Sequence, residues 1–349
     1  MGQQKNILKA LVTGGGGFLG FAIVAQLRKL GIEVHTLARN YYAKLDEVGA
    51  KQFIGDMSDY AVVERAAMGC DTVFHVAAKA GVWGDFADYY SANVVGSENV
   101  ISACRNLGIT KLIYTSSPSV VFNGRSMEGV NESIPYPEHY HSPYPQTKAI
   151  AEQHVITANS DTLATVSLRP HLIWGPEDNH LTPRIIAQGR AGKLRRIGKL
   201  DHKVDCIYID NAAQAHIQAA QQLDIGSDIS GKCYFISQDD PRNLWDIVNA
   251  ILACAEVPPV MRIVPTKLAY AMGWLLEYSY KLLRITREPP LTRFVVRELS
   301  TAHWFDISAA KQDFGYAPSI SITQGMESLR NWIQYTKNTT HTKTTNTTE

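Results

Sequence analysis

The chain has 349 residues, 45% hydrophobic and 19% charged, which suits a protein with a sizeable core and excludes an intrinsically disordered one. Lys and Arg number 34 against 33 Asp and Glu, so no global field recruits nucleic acid or an acidic membrane, and neither is an expected partner. The five cysteines are scattered without a CxxC pair, and no secretory leader or run of about 18 apolar residues is present, so the expectation is a cytoplasmic chain without disulfides, metal or spanning helix.

The first 170 residues alternate short apolar runs with amphipathic stretches, the pattern of βαβ units on a parallel sheet. A first strand at Ala10, Leu11 and Val12 leads into Thr13-Gly14-Gly15-Gly16-Gly17-Phe18-Leu19-Gly20. The helix that follows, over 18–30, carries Leu19, Ile23, Leu27 and Leu30 at helical spacing and stops at Gly31. Gly14, Gly17 and Gly20 have the spacing GxxGxxG. Gly14 permits the tight turn, Gly17 lets backbone N–H groups approach a pyrophosphate, and Gly20 lets helix pack on strand. The helix N-terminus, at Phe18 and Leu19, then favours the anion.

The second strand, 34–37, ends at Ala38-Arg39-Asn40 with no acidic residue to hold a ribose 2′-OH. Arg39 offers a guanidinium for a 2′-phosphate, which favours NADPH over NADH. The third strand ends at Asp56, placed to accept from an adenine amino group, and Met57 follows. The fourth, 72–76, ends at Ala77 and Ala78, whose small side chains let a cofactor lie against backbone, and then Lys79.

A helix over 91–107 stops at Gly108, and a fifth strand, 111–114, opens into Tyr114-Thr115-Ser116-Ser117. After a proline-dense loop, Tyr144 and Lys148 lie four apart on a helix over 144–158, hence on one face. A free phenol titrates near 10 and is a poor acid-base catalyst at neutral pH. An ammonium about 4–5 Å away, at an effective dielectric near 20, favours the phenolate by about 3–4 kcal/mol. Such a pair can protonate a ketone oxygen as hydride arrives. Ser117, at the carboxyl end of a parallel strand, is the hydroxyl chosen to hold the same oxygen, with Ser116 the alternative.

The strand 165–168 runs into Pro170, His171 and Leu172, which complete the candidate cofactor contacts together with Tyr144 and Lys148. Beyond 170 the rhythm breaks. A strand over 204–210 and helix over 211–223 read as a return to the first unit. The segment 266–283 is helical and rich in Leu, Tyr and Trp. Three readings stay open for it: core or dimer helix, wall of an acyl pocket, or a membrane-surface helix, with peripheral membrane contact not favoured. Arg184, Arg195, Arg196 and Lys199 are the cations available for a substrate carboxylate. The expected fold class is α/β, a doubly wound parallel Rossmann sheet from 1–169 and 204–232, with a smaller α/β substrate lobe from 170–203 and 233–335 and a disordered tail over 336–349.

TGGGGFLG, GD at 55–56, HVAA at 75–78, YTSS at 114–117, YPQTK at 144–148 and LRP at 168–170 together resemble the extended short-chain dehydrogenase/reductase family. YPQTKAIAE and RPHLIWGPEDNHLTPRII are similar to its 3β-hydroxysteroid dehydrogenase-like branch. AKAGVWGDFADYYSANVVGSENVISACR, SPYPQTKAIAEQ, KVDCIYIDNAAQAH and EPPLTRFVVREL resemble the 2-alkyl-3-oxoalkanoate reductases of bacterial long-chain olefin biosynthesis. The resemblance implies that Tyr144 is the general acid-base, that Lys148 binds the nicotinamide ribose and lowers the phenol, that Ser117 orients the carbonyl, and that Asn93 supports a proton-relay water. It implies NADPH-dependent reduction of a lipid-derived 2-alkyl-3-keto acid by a homodimer working beside other enzymes of that pathway. The alternatives are an NAD(P)-dependent 3β-hydroxysteroid or sterol-carboxylate dehydrogenase and, in another class, a non-catalytic dinucleotide-sensing protein.

Overall fold

The computed structural model describes residues 7–345, with side chains described as far as Asn338. Seven parallel strands form the main sheet: β1 Lys9–Thr13, β2 Glu33–Ala38, β3 Lys51–Ile54, β4 Thr72–His75, β5 Lys111–Thr115, β6 Ala164–Pro170 and β7 Lys232–Ile236. Their order is β7-β6-β5-β4-β1-β2-β3, so the chain reverses direction across the sheet between β1 and β4. Ligands bind at such a switch point in open α/β sheets.

The inner strands β4, β5 and β6 are buried on both faces, which is why they read as unbroken apolar runs rather than alternating ones. Helix α1, Phe18–Lys29, and helix α2, Gly96–Leu107, cover the two faces, and α2 ends at Gly108 with φ 69° as expected of a left-handed cap. Helix α3, Pro143–Thr157, starts on two prolines that lack a donor the first turn would leave unpaired. The helix expected over 91–107 is interrupted. Phe86–Tyr90 is α-helical, Ser91–Val95 takes a π turn, and only then does α2 begin. Periodicity does not reveal a one-turn bulge, because the apolar face is kept on either side of it.

The return to the main sheet reaches further than the sequence pattern indicates. Short strands at Lys203–Val204 and Ile207–Tyr208 lead into α4, Ile209–Gln222, which packs on α1; the Gln26 amide donates to the Asp210 carbonyl at 3.0 Å. Strand β7 then adds to the edge of β6, with Cys233 opposite Ser167 and Phe235 opposite Arg169. It spans the 232/233 division expected between the two units, so that boundary moves beyond Ile236. The correction has a simple cause: Lys232-Cys-Tyr-Phe-Ile carries no turn residue, and nothing local distinguishes it from a lobe strand.

The remainder includes α5, Leu244–Cys254, α6, Thr266–Leu282, α7, Arg293–Leu299, and α8, Ile322–Thr345. A small sheet joins Met127–Val130, His303–Phe305, Lys203–Val204 and Arg242–Asn243. Helix α8 carries helical backbone through ten residues of the segment expected to be a disordered tail, because it continues a helix already anchored by Leu329 and Ile333; residues 346–349 lie outside the described residues. Helix α6 buries only Ala269 and Gly273, while Leu268, Trp274, Leu275, Tyr278 and Leu282 are exposed. The core reading of that segment is therefore overturned within one chain. No helix among the described residues is long and apolar enough to cross a membrane.

Candidate active site

The glycine turn closes as its spacing predicts. Gly14 has φ 69°, its N–H donates to the Leu37 carbonyl at 2.7 Å, and Gly17 N–H donates back to the Gly14 carbonyl at 2.9 Å. A Cβ on Gly20 would lie 2.1 Å from the Gly14 oxygen, so helix and turn meet there without room for a side chain. A Cβ on Gly17 would meet only the Gly14 oxygen, at 3.2 Å, so the rest of its surface faces open space. The bond from Phe21 N–H to the Gly17 carbonyl, 2.9 Å, leaves the N–H groups of Phe18 and Leu19 ahead of it at the helix N-terminus, where no acidic side chain sits in the first turn.

Around that turn, Arg39 and Asn40 are exposed beyond the end of β2. Asp56 Oδ1 accepts from the Ser58 N–H at 2.9 Å and the Ser58 hydroxyl at 2.7 Å, which hold its carboxyl below the usual range. Met57 is buried against Gly96. Ala77 packs on Gly14, where a Cβ would come within 3.0 Å of its Cα; Ala78 is exposed. The Lys79 ammonium pairs with Asp88 at 2.7 Å.

The turn is braced from below by residues the sequence did not single out. Thr13 Oγ1 accepts from the Val76 and Ala77 N–H groups, both at 3.0 Å, so its one proton goes to His75 Nδ1 at 2.8 Å. His75 is therefore the Nε2–H tautomer and donates to Ser97 Oγ at 2.9 Å, which donates to the Asn93 carbonyl at 2.6 Å. Burial pushes this imidazole down to about 3 and keeps it neutral.

Asn93 lies in the π turn and is buried. Its Oδ1 accepts from the Lys79 N–H at 2.7 Å, and its Nδ2 donates to the Lys79 carbonyl at 3.1 Å and Thr147 Oγ1 at 3.0 Å. With both amide protons committed, the side chain ties the Lys79 loop to α3.

Ser117, Tyr144, Pro170, His171 and Leu172 converge on one cavity of about 210 Å³, with Phe122, Met127, Phe294, Glu298 and His303 among its walls. The Tyr144 phenol and the Ser117 hydroxyl line this cavity together, and Ser117 Oγ accepts from the Ser119 hydroxyl at 2.9 Å. Ser117 lines this space, whereas Ser116 is buried beside Glu152. Leu172 has φ 45°, a conformation costly for a branched side chain and typical of functional sites. His171, buried, has its Nδ1 2.8 Å from the Asp205 carbonyl and presents its ring as well as its backbone. A larger open cleft of about 760 Å³, walled by Arg190, Arg195, Pro258 and Arg262, contains none of the expected catalytic or cofactor-binding residues and, of the expected cations, Arg195 alone.

The electrostatics differ from the expected Tyr–Lys pair. Burial pushes the Tyr144 phenol up to about 12, partly opposed by the nearby Ser117 hydroxyl. Lys148 is buried beneath β5: its Nζ donates to the Thr115 carbonyl at 2.5 Å and sits 4.1 Å from the Tyr114 ring centre. Burial also pushes this ammonium down to about 7, against the pull of Glu152 one turn on. Proximity of the ammonium favours the phenolate, but desolvation of both groups dominates.

Glu152 and Arg169 form a buried pair at 2.6 Å, with the Ser167 and Tyr136 hydroxyls also donating to Glu152. The Arg-Pro of LRP marked the position but not its partner. None of the four expected cations reaches the cavity. Arg184 pairs with Glu288, Arg195 donates to the Gly192 and Leu194 carbonyls, Arg196 pairs with Asp201, and Lys199 lies with that exposed segment.

A tyrosine and a serine hydroxyl facing one cavity at the carboxyl edge of a Rossmann sheet, with a lysine one turn behind the tyrosine, define an oxidoreductase of the extended short-chain dehydrogenase/reductase type. The chain belongs to the 3-beta hydroxysteroid dehydrogenase/isomerase family, whose model matches residues 11–263. It is 51% identical to a 2-alkyl-3-oxoalkanoate reductase of Shewanella oneidensis, covering 92% of this chain and 85% of that one. It is 46% identical to a 2-alkyl-3-oxoalkanoate reductase of Stenotrophomonas maltophilia, covering 93% and 98%. The crystal structure of gox2253 superposes with a TM-score of 0.76 at 25% identity, covering 95% of this chain and 98% of that chain.

Proposed function

We propose that the protein reduces a long-chain 2-alkyl-3-oxoalkanoate to the 2-alkyl-3-hydroxyalkanoate with NADPH. The observation that carries this reading is the Ser117–Tyr144 hydroxyl pair at the head of an otherwise largely apolar cavity, in a chain so similar to two reductases of that name. The cavity is smaller than the roughly 300–1,000 Å³ usual for drug-sized ligands. It fits the keto-acid head and leaves the alkyl chains to extend beyond it.

The residues present fit a nicotinamide dinucleotide. The open side of Gly17 and the N–H groups of Phe18 and Leu19 form a cradle that a larger residue at 17 would fill. Arg39 beyond β2, with no acid beside it on the strand tip, supports the 2′-phosphate form, and Lys148, one turn behind Tyr144, would hold the nicotinamide ribose. The cofactor, when bound, supplies the hydride.

Ser117 and Tyr144 hold the substrate carbonyl oxygen. A phenol pushed up to about 12 carries its proton throughout the neutral range, which is the state needed to protonate the oxygen during reduction. Burial therefore keeps the phenol in the protonation state from which reduction starts. Asn93 keeps the Lys79 loop and α3 in register rather than moving a proton itself.

A homodimer acting beside the enzyme that next activates the hydroxy acid belongs to the same reading. The test offers purified protein NADP⁺ or NAD⁺ with a long-chain 2-alkyl-3-hydroxyalkanoic acid or a 3β-hydroxysteroid; the hydroxy acid is used because 3-keto acids lose CO₂. Oxidation of the hydroxy acid with NADP⁺ preferred is expected. Activity on the steroid alone would overturn the assignment.

A further inference from the structure

Glu298 is a titratable group in the active-site cavity for which the reaction so far has no use. It projects from α7 into the space shared by Ser117, Tyr144, His171 and His303. Among the described residues it forms no hydrogen bond or ion pair. The groups facing it are the Tyr144 phenol on α3, the His171 ring beyond β6 and the His303 ring on the small sheet.

Among the described residues, no Lys or Arg lines this cavity. On α7 itself, Arg297 is turned away to His141 at 2.7 Å and to Tyr270 at 3.4 Å, and Arg293 is held by Glu277 at 2.7 Å. Lys148 points at Thr115, and Lys79 at Asp88. His171 and His303 are pushed by burial down to about 4 and about 3, so both rings are neutral. A keto acid entering here brings a carboxylate that needs a donor, and the cavity offers one side chain without a partner.

We propose that Glu298 is the carboxylate subsite of this active site: its carboxylic acid O–H donates to the substrate carboxylate, and the two carboxyl groups share one proton while Ser117 and Tyr144 hold the 3-oxo group. The inference rests on the keto-acid reading above. Burial pushes Glu298 up to about 7, so the acid is protonated in a substantial fraction of molecules at neutral pH. A second carboxylate in contact raises it further, because two like charges at that distance cannot both ionise. Binding of the acid substrate then weakens as pH climbs above neutrality, while a substrate without a carboxylate is indifferent to this group.

The test measures kcat and KM for oxidation of a long-chain 2-alkyl-3-hydroxyalkanoic acid and of the same secondary alcohol lacking the carboxyl group, from about pH 6 to about pH 8.5. Glu298→Ala is expected to raise KM for the hydroxy acid by roughly tenfold or more, the loss of one charge-assisted hydrogen bond, and to change the plain alcohol by less than about twofold. Glu298→Gln keeps an N–H donor without a titration. It should retain the acid's KM within about threefold and flatten the rise of KM with pH, while any pH effect of Lys148 on kcat persists. Equal losses on both substrates after Glu298→Ala would make Glu298 a mere wall, and an unchanged KM for the hydroxy acid would also overturn the subsite. Wild-type protein that ignores the hydroxy acid altogether overturns the proposed function instead, and the subsite with it.

Discussion

At the scale of single residues, the site works through desolvation more than through proximity of charges. Tyr144 and Lys148 were legible from their spacing because a helix fixes which side chains share a face. What spacing could not supply was the enclosure of both. Tyr144→Phe removes the proton donor but not the glycine cradle, so turnover should fall about 10²–10⁴-fold while NADP⁺ still binds. Rate measurements beside cofactor titration check this; full activity in the variant would remove Tyr144 from the mechanism. Lys148 makes the converse prediction, about stability. Its native value near 7 lies below the 10.5 of an exposed lysine, so its contribution to stability is fully present above about 10.5 and is lost as pH falls towards 7. Lys148→Met, which buries no charge, should melt higher than the wild type at pH 7, by the equivalent of about 1 kcal/mol, at the expense of activity. The difference should shrink towards pH 10.5, and a lower-melting variant at pH 7 would contradict the assigned burial of the ammonium.

At the scale of elements, the first half of the chain was readable because each strand is followed within a few residues by its helix, and glycines mark the turns. The second half was not, because its elements are defined by partners far away in sequence. Helix α7 spans seven residues with no periodic face to speak of, yet it carries Phe294 and Glu298 into a cavity whose tyrosine lies on α3. It is held there by α6. Glu277 accepts from the Arg293 N–H and side chain, both at 2.7 Å, and Gly273 lets the two helices approach. A Cβ on Gly273 would stand 3.1 Å from Arg293 N and Thr292 C, both main-chain atoms that cannot swing aside. Gly273→Val should therefore displace α7 and lower kcat/KM for the proposed substrate, with a stability loss of about 1–3 kcal/mol. Kinetics and thermal melting of the same preparation check it; unaltered kinetics would mean that α6 does not set the position of α7. The apolar residues of α6 were conspicuous in the sequence, but composition cannot say which face is covered, and here most of them face outward.

At the scale of the whole molecule, the length of 349 residues suggested two units, and the packing shows how closely they are joined. One apolar cluster runs from Ile7 and Val12 through Trp174, Tyr208 and Phe235 to Leu329 and Ile333. The opposite face of the sheet has a second cluster, with Leu11, Val63, Val73, Ile101, Leu112 and Val155. Helix α8 is keyed in by Gly325, where a Cβ would come within 2.6 Å of the Tyr208 ring. Asp205 joins the lobe strands: its N–H donates to the His303 carbonyl at 2.9 Å, its carboxylate accepts from Ser237 at 2.7 Å, and its carbonyl holds His171. Because the first cluster draws on both halves of the chain, neither half can lose its packing without exposing the other. Unfolding should therefore be a single cooperative transition, with calorimetric and van't Hoff enthalpies in agreement. A ligand bound at the glycine turn must then stabilise the whole chain. NADP⁺ at about 100 times its dissociation constant should add about 2.7 kcal/mol and shift the entire transition without splitting it. Two separable transitions, or a cofactor shift confined to one of them, would show that the lobe folds independently of the sheet despite the shared core.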